Sequence, residues 1–209
     1  RRTRAMIARE RGLEPLADLI MLQNLNRPAL EEAERYVSEE KGVSSSQEAL
    51  AGAMDILAER ISDSAKYRTY IRRATRDQGT IQSLAKDPKE KSVYEHYYEY
   101  EEPVRKCAGH RVLALNRGEA EKYLTVKILA PEDVILKYLE KQVVTRDNPH
   151  TSPVLRSVIE DSYKRLIAPS IEREIRGELT DKAEDGAIRV FGKNLEQLLM
   201  QPPITGRTV

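Results

Sequence analysis

The stretch SPVLRSVIEDSYKRLIAPSIEREIRGELTDKAEDGAIRVFGKNLEQLLMQ, residues 152–201, decides the fold class. Its apolar residues recur every three to four positions, and acidic residues stand four positions before basic ones, as in amphipathic helices. Unbroken, the stretch would form a helix of about 70 Å, at roughly 1.5 Å per residue. Pro169 lacks an amide proton and crowds the preceding turn, so we expect it to kink or split this segment.

The rest of the chain is also mostly helical in pattern. Ser45 and Glu48 predict a capping box at the start of one helix, and Asp63 is expected to cap another that ends near Gly79. Alternating β-branched residues over 123–129 predict a strand, and 80–84 is expected to be extended. The sequence therefore predicts a mainly α, multihelical scaffold with a helix-turn-helix-like portion, one or two short β-strands and a long C-terminal helical segment.

Three regions follow from these patterns. Residues 1–62 are predicted to form the N-terminal part of the helical scaffold, and 63–145 a helix-turn-helix-like portion with a short strand. Residues 146–201 are the long helical segment, which begins after the turn-like run RDNPH at 146–150.

Composition excludes several classes of protein. The 35 basic and 34 acidic residues give a net charge of +1, and 40% of the residues are hydrophobic, which is too apolar for a disordered chain of high net charge. Apolar runs such as residues 19–22 are four residues long, whereas a membrane span needs about 20, so we expect no membrane partner. One cysteine and no Asn-x-Ser/Thr sequence favour a cytoplasmic location. The absence of an initiator methionine and a strand-like run at the C-terminus predict a piece of a longer protein.

Motifs for catalysis and for cofactors are missing. No phosphate-binding glycine pattern, nucleophile elbow, zinc motif or EF-hand loop occurs, and the three histidines are far apart. Cys107 with His110 three residues later is a conceivable nucleophile pair, but a packed structural thiol is the favoured interpretation. Tyrosines 94, 97, 98 and 100 are interleaved with glutamates, which favours packing over base stacking. We predict a protein that is not an enzyme and that has no cofactor.

Two basic clusters remain as candidate nucleic-acid contacts. Residues 1–11 carry five arginines and one glutamate, and the predicted helix after Asp63 carries a second group of arginines. Residues 63–79 with a short element after them have the length of a helix-turn-helix, whose second helix would enter a major groove. A solvated helix face is an equally good explanation. The predicted contact residues are Arg1, Arg2, Arg4, Arg68, Arg72, Arg73 and Arg76.

Several separated motifs are distinctive: RRTRA at 1–5, RGLEPLADLI at 11–20, EALAGAMDI at 48–56 and GHRVLALNRGE at 109–119. They resemble the bacterial Tex family of transcription accessory proteins. The most specific is DSYKRLIAPSIEREIR at 161–176, and residues 195–209 resemble the junction that leads into the resolvase-like RNase H-fold domain of the family.

The resemblance implies a modular cytoplasmic protein that binds RNA or DNA in transcription. In that family a helical scaffold comes first, and the resolvase-like domain and a C-terminal RNA-binding OB-fold follow it. Residues 202–209 would be the start of the resolvase-like domain. We accordingly expect a non-catalytic scaffold fragment that positions other domains, makes weak nucleic-acid contacts and works with the transcription machinery. The alternative is a pure protein–protein interaction scaffold with no nucleic-acid contact in this fragment.

Overall fold

The computed structural model describes residues 1–200. The chain folds into two compact units: unit 1 contains residues 1–75 and 130–172, and unit 2 contains residues 76–129 and those from 173 onward. The strand start predicted at 202–209 lies outside the described residues. Helices dominate, and the mainly α fold class is confirmed.

The elements follow one another in this order. They are α1 (Arg4–Glu10), α2 (Glu14–Met21), α3 (Ala29–Ala33), α4 (Ser46–Ser62), α5 (Ala65–Gln78), β1 (Thr80–Ala85), β2 (Glu99–Pro103), α6 (Gly109–Ala120), β3 (Leu124–Leu129), α7 (Glu132–Val143), α8 (Ser152–Asp161) and α9 (Ala168–Met200).

Helix α4 is the centre of unit 1. It begins with the predicted Ser45 cap, whose Oγ accepts from the Glu48 N–H at 3.2 Å. The Glu48 carboxylate accepts from the Ser44 N–H at 3.0 Å, one residue before the position that a strict capping box uses. Helices α1, α2, α3 and α8 pack against α4, where Ile56 and Leu57 are fully buried. The core of this unit is mostly aliphatic, although Tyr163 is also buried.

A π-helical turn over Ser162–Ile167 joins α8 to α9. In a regular α-helix the amide of residue 169 would donate to the Arg165 carbonyl, but Pro169 has no amide proton. The wider turn contains this carbonyl and so lies where the regular hydrogen-bond pattern is interrupted. The Ser162 hydroxyl donates to the Ala58 carbonyl oxygen at 2.7 Å and anchors the turn on α4. The interruption expected at Pro169 is therefore present one turn before it.

Unit 2 is a small antiparallel sheet with helix α6 packed on it. The strand order is β2–β1–β3, with Ile81 opposite Glu102 on one side and Ile128 on the other. The strand predicted at 123–129 is confirmed as β3, whose residues alternate between buried and exposed. Because β1 follows α5 directly, the short element after this helix is a strand, and a helix-turn-helix in the 63–145 portion stays a prediction.

The tyrosines between β1 and β2, together with Tyr100 of β2, make packing contacts. Tyr94 is 4% exposed, donates to the Glu121 carboxylate and lies 5.7 Å from Tyr123 between ring centroids. Tyr97 and Tyr100 meet edge to face at 5.2 Å. These contacts agree with the packing interpretation for Tyr94, Tyr97 and Tyr100.

Candidate nucleic-acid interface

Helix α5 carries its four arginines over about 140° of its circumference. The helix begins after Ser64, whose hydroxyl accepts from the Tyr67 N–H at 3.3 Å, so the cap is one residue later than the predicted Asp63. At about 100° per residue, Arg73 points roughly 140° away from Arg68. Arg68, Arg72 and Arg76, four residues apart, lie within about 80° of one another, and Arg73 lies to one side of that row.

Arg68 is committed to hydrogen bonds inside unit 1. Its guanidinium donates to Ser170 Oγ and Ser62 Oγ, each at 2.9 Å, and also to the Ser62 carbonyl oxygen. The side chain is half-buried. These bonds satisfy most of its donors, so Arg68 joins helices rather than presenting charge to a partner.

In the described part of the chain, Arg76 is held in an ion pair, whereas Arg73 is not. Arg76 forms a bidentate ion pair with Glu178, with Nε donating to Oε2 at 2.9 Å. Arg73 is exposed and makes no ion pair or hydrogen bond with any residue from 1 to 200. Arg72 is half-buried. Among the predicted residues on α5, Arg73 is therefore the one that offers an open charge.

The basic head lies before and at the start of α1. Arg1, Arg2 and Arg4 are exposed, and Arg2 forms an ion pair with Glu10. Thr3 caps the helix by accepting from the Met6 N–H at 3.1 Å. The head therefore presents its cations to solvent, although Glu10 reduces their net charge.

A basic surface around Arg73 was not predicted from the sequence. Lys66 and Tyr70 share its side of α5, and Tyr70 stacks on Tyr138 of α7 at 3.6 Å between ring centroids. Lys137 and Lys141 are exposed on α7. The four-residue spacing of Lys137 and Lys141 indicates from the sequence that both lie on one face of a helix. Only the fold shows that this helix, α7, lies beside α5.

Unit 2 contains an open apolar groove of about 910 Å³ between the start of α6 and α9. Its walls include Val112, Leu113, Leu179, Val190 and Phe191. The helices approach closely because Gly109 has no side chain: a Cβ at this position would lie 3.2 Å from Ala183 Cα. Phe191 is 70% exposed, so the groove presents an apolar surface to solvent.

Cys107 at the edge of this groove has the properties of a structural thiol. Burial, with a further effect of the neighbouring Glu102 carboxylate, raises the pKa of Cys107 to about 12, so the nucleophilic thiolate is scarce at neutral pH. His110 is exposed. Over residues 1–200 no group of histidine, cysteine and acidic side chains has the arrangement of a metal site, and no helix there is long and apolar enough to cross a membrane.

In a comparison with known protein families, residues 24–191 match the Tex central region-like family model. The chain belongs to the Tex family. It is 50% identical over its whole length to protein YdcI of Bacillus subtilis, of which it covers 30%. It is 33% identical to S1 RNA-binding domain-containing protein 1 of Pongo abelii, with 99% of this chain and 22% of the relative covered.

A third relative is the transcriptional accessory protein Tex of Neisseria gonorrhoeae, which is 30% identical, with 97% of this chain and 27% of the relative covered. The chain thus spans less than a third of the length of these relatives. The recognition made from the sequence motifs is confirmed.

Proposed function

We propose that this chain is a non-catalytic helical scaffold of a transcription accessory protein, which contributes to RNA or DNA binding and positions further domains. The observation that carries the proposal is the family match over residues 24–191. Relatives named for transcription and for an RNA-binding domain extend far beyond the region that this chain covers. The single cysteine and the family match support a cytoplasmic location, which we propose.

The exposed cations of unit 1 support the nucleic-acid part of the proposal. Arg1, Arg4 and Arg73 have open guanidinium groups, and each neutralised phosphate releases counterions, which makes binding dependent on salt. The inward bonds of Arg68 and the ion pair of Arg76 reduce the number of predicted contacts. We therefore expect weak binding that disappears as the ionic strength rises.

Fluorescence anisotropy with a labelled 20-nucleotide RNA and a 20-base-pair DNA duplex tests this function. At about 20 mM salt we expect measurable binding to at least one probe, and loss of most of it near 200 mM salt, because every contacted phosphate steepens the fall of affinity with salt. The replacement of Arg1, Arg2, Arg4 and Arg73 by glutamate should weaken binding. A matched control reverses Lys86, Lys89, Lys91 and Lys127, which are exposed in unit 2. Absence of binding to both probes at low salt would refute the nucleic-acid role of this chain.

A protein-interaction scaffold is the second candidate function, and the apolar groove of unit 2 favours it. An exposed apolar surface of this kind is typical of protein contacts, and Val190 and Phe191 are 61% and 70% exposed. This alternative predicts that charge reversal of the four arginines of α5 leaves the nucleic-acid affinity of the longer protein unchanged. A decrease of more than about tenfold, or 1.4 kcal/mol, contradicts it.

An enzymatic role for Cys107 and His110 ranks last, because the raised pKa of the thiol disfavours nucleophilic attack. Cys107→Ala tests it directly. If any activity of the protein is found, we expect the variant to retain it in full, and a loss of activity in a folded variant would restore the catalytic hypothesis.

A further inference from the structure

Three residues of α5 line one side of the helix in unit 1. Lys66, Tyr70 and Arg73 occupy positions i, i+4 and i+7, which share a helix face. Lys66 and Arg73 are exposed. The Lys66 ammonium donates to the Gln142 side-chain oxygen of α7 at 2.9 Å, so this face lies directly beside α7.

Helix α7 continues the same surface. The ring of Tyr138 stacks on Tyr70 with an interplanar angle of 10°, and Tyr67 meets Tyr138 edge to face at 6.1 Å. Lys137 and Lys141, one turn apart, are exposed. We call Lys66, Tyr70, Arg73, Lys137, Tyr138 and Lys141 the tyrosine–lysine surface.

The cations of this surface are not neutralised within the described chain. Arg73, Lys137 and Lys141 form no ion pair over residues 1–200. The acidic residues of α7 are largely directed to other partners: Glu132 lies 3.7 Å from Lys164, and Glu140 accepts from Arg156 at 2.8 Å. Asp133 at the start of α7 is the remaining carboxylate of that helix.

The positive charge extends past the end of α7. A shallow cleft of about 520 Å³ is lined by Lys137, Lys141, Arg146 and Arg156, together with the carboxylates Glu140 and Asp147. Since Glu140 is paired with Arg156, the cleft retains more cations than anions. A chain of phosphates that crosses α7 would meet positive charge on both sides of the tyrosine stack.

The geometry points to a binding site for single-stranded nucleic acid on the tyrosine–lysine surface. Non-specific single-strand sites combine cations that follow the phosphate backbone with aromatic rings on which bases stack. Tyr70 and Tyr138 are half-buried, so their exposed parts are available between the two groups of cations. A duplex would satisfy the cations but has no unstacked base for the tyrosines. This inference rests on the proposed nucleic-acid function and assigns it to a surface of which the sequence analysis identified only Arg73.

The test uses the whole 209-residue chain and a quadruple variant, Lys66→Gln, Arg73→Gln, Lys137→Gln and Lys141→Gln. The probe is a labelled 20-nucleotide oligouridine, with a 20-base-pair duplex for comparison. If each cation contacts one phosphate, the slope of log Kd against log salt should fall by about 2.8, at roughly 0.7 per phosphate of a single strand. The control replaces Lys86, Lys89, Lys91 and Lys127 by glutamine and should leave the slope unchanged.

A second variant separates stacking from charge. Tyr70→Leu keeps every cation, so we expect a loss of affinity of about tenfold at constant salt slope. Circular dichroism melting verifies that each variant is folded. If the tyrosine variant does not fold, ultraviolet crosslinking of the unmodified chain to 4-thiouridine RNA gives an independent readout, and crosslinked peptides should come from α5 and α7.

The outcomes separate the two proposals. If the unmodified chain binds oligouridine but the quadruple variant binds with the same affinity and slope as the control, the tyrosine–lysine surface is refuted and the proposed function stands. If the quadruple variant loses duplex binding alone, the assignment to single strands is wrong. If the unmodified chain binds neither probe at low salt, both proposals fail.

Discussion

Replacement of Gln23 by alanine should destabilise unit 1 more than its position in a surface connection suggests. Gln23 follows α2 and is 3% exposed. Its amide group donates to the Val143 carbonyl oxygen at 2.9 Å, and its side-chain oxygen accepts from the Thr145 and Arg146 N–H groups at 3.0 and 3.2 Å. One side chain therefore satisfies three backbone groups at the end of α7.

The expected loss follows from these three bonds. At about 1 kcal/mol for each hydrogen bond, Gln23→Ala should lower the free energy of unfolding by about 3 kcal/mol. Gln23 has φ of 58°, and alanine has the same left-handed strain, so strain does not contribute to the difference. Gln23→Gly relieves that strain and should be about 1 kcal/mol less destabilised than Gln23→Ala.

Urea denaturation followed by far-ultraviolet circular dichroism measures both values. The exposed neighbour Asn24 provides the control, because Asn24→Ala should change the stability by less than about 0.5 kcal/mol. A loss below about 1 kcal/mol for Gln23→Ala would show that water replaces the side chain easily, and the reasoning would be refuted.

Three further predictions concern packing, capping and the thiol. Gly118→Ala should lower the free energy of unfolding by about 1–3 kcal/mol, because a Cβ would lie 2.4 Å from Leu124 Cδ1. Gly177→Ala, with open space around it, should instead stabilise α9 by about 0.5–1 kcal/mol. The melting temperatures of the two variants should therefore shift in opposite directions. Ser45→Ala should lower the stability by about 1 kcal/mol through loss of the α4 cap, and an unchanged urea midpoint would contradict this. Because the pKa of Cys107 is raised from 9.0 to about 12, its reaction with an aromatic disulfide reagent at about pH 8 should be roughly 100-fold or more slower than that of free cysteine and should rise as pH approaches that pKa. A rate that levels off near pH 9 would show that the thiol is not perturbed.

Strands β3 and β2 show how far the sequence predicts the fold. The β3 residues carry their own signal, since alternating Val126 and Ile128 suit a half-buried strand. Strand β2 has the sequence EYEEP, which contains no β-branched residue and was not predicted. Its strand conformation comes from pairing with β1 about twenty residues earlier, and a local pattern cannot reveal such pairing.

The candidate site shows the same limit. The sequence identifies α5 as an arginine-rich helix, but Ser170, which bonds Arg68, and Glu178, which pairs with Arg76, lie on α9, each 102 residues further along the chain. These bonds remove two cations from the predicted site. Conversely, Lys137 and Lys141 enter the site because α7 packs beside α5 through Tyr70 and Tyr138. Helical periodicity gives the face of each helix but not its neighbour.

The division of unit 1 into two separate stretches has a consequence during synthesis on the ribosome. The hydrogen bond from Gln23 to the Val143 carbonyl cannot form until Val143, 120 residues later, has been synthesised. At about 5–20 residues per second this delay lasts roughly 6–24 s. During that time the apolar side of α4 lacks the cover of α8. Slower translation of residues 76–129 should prolong that exposure and with it the risk of aggregation.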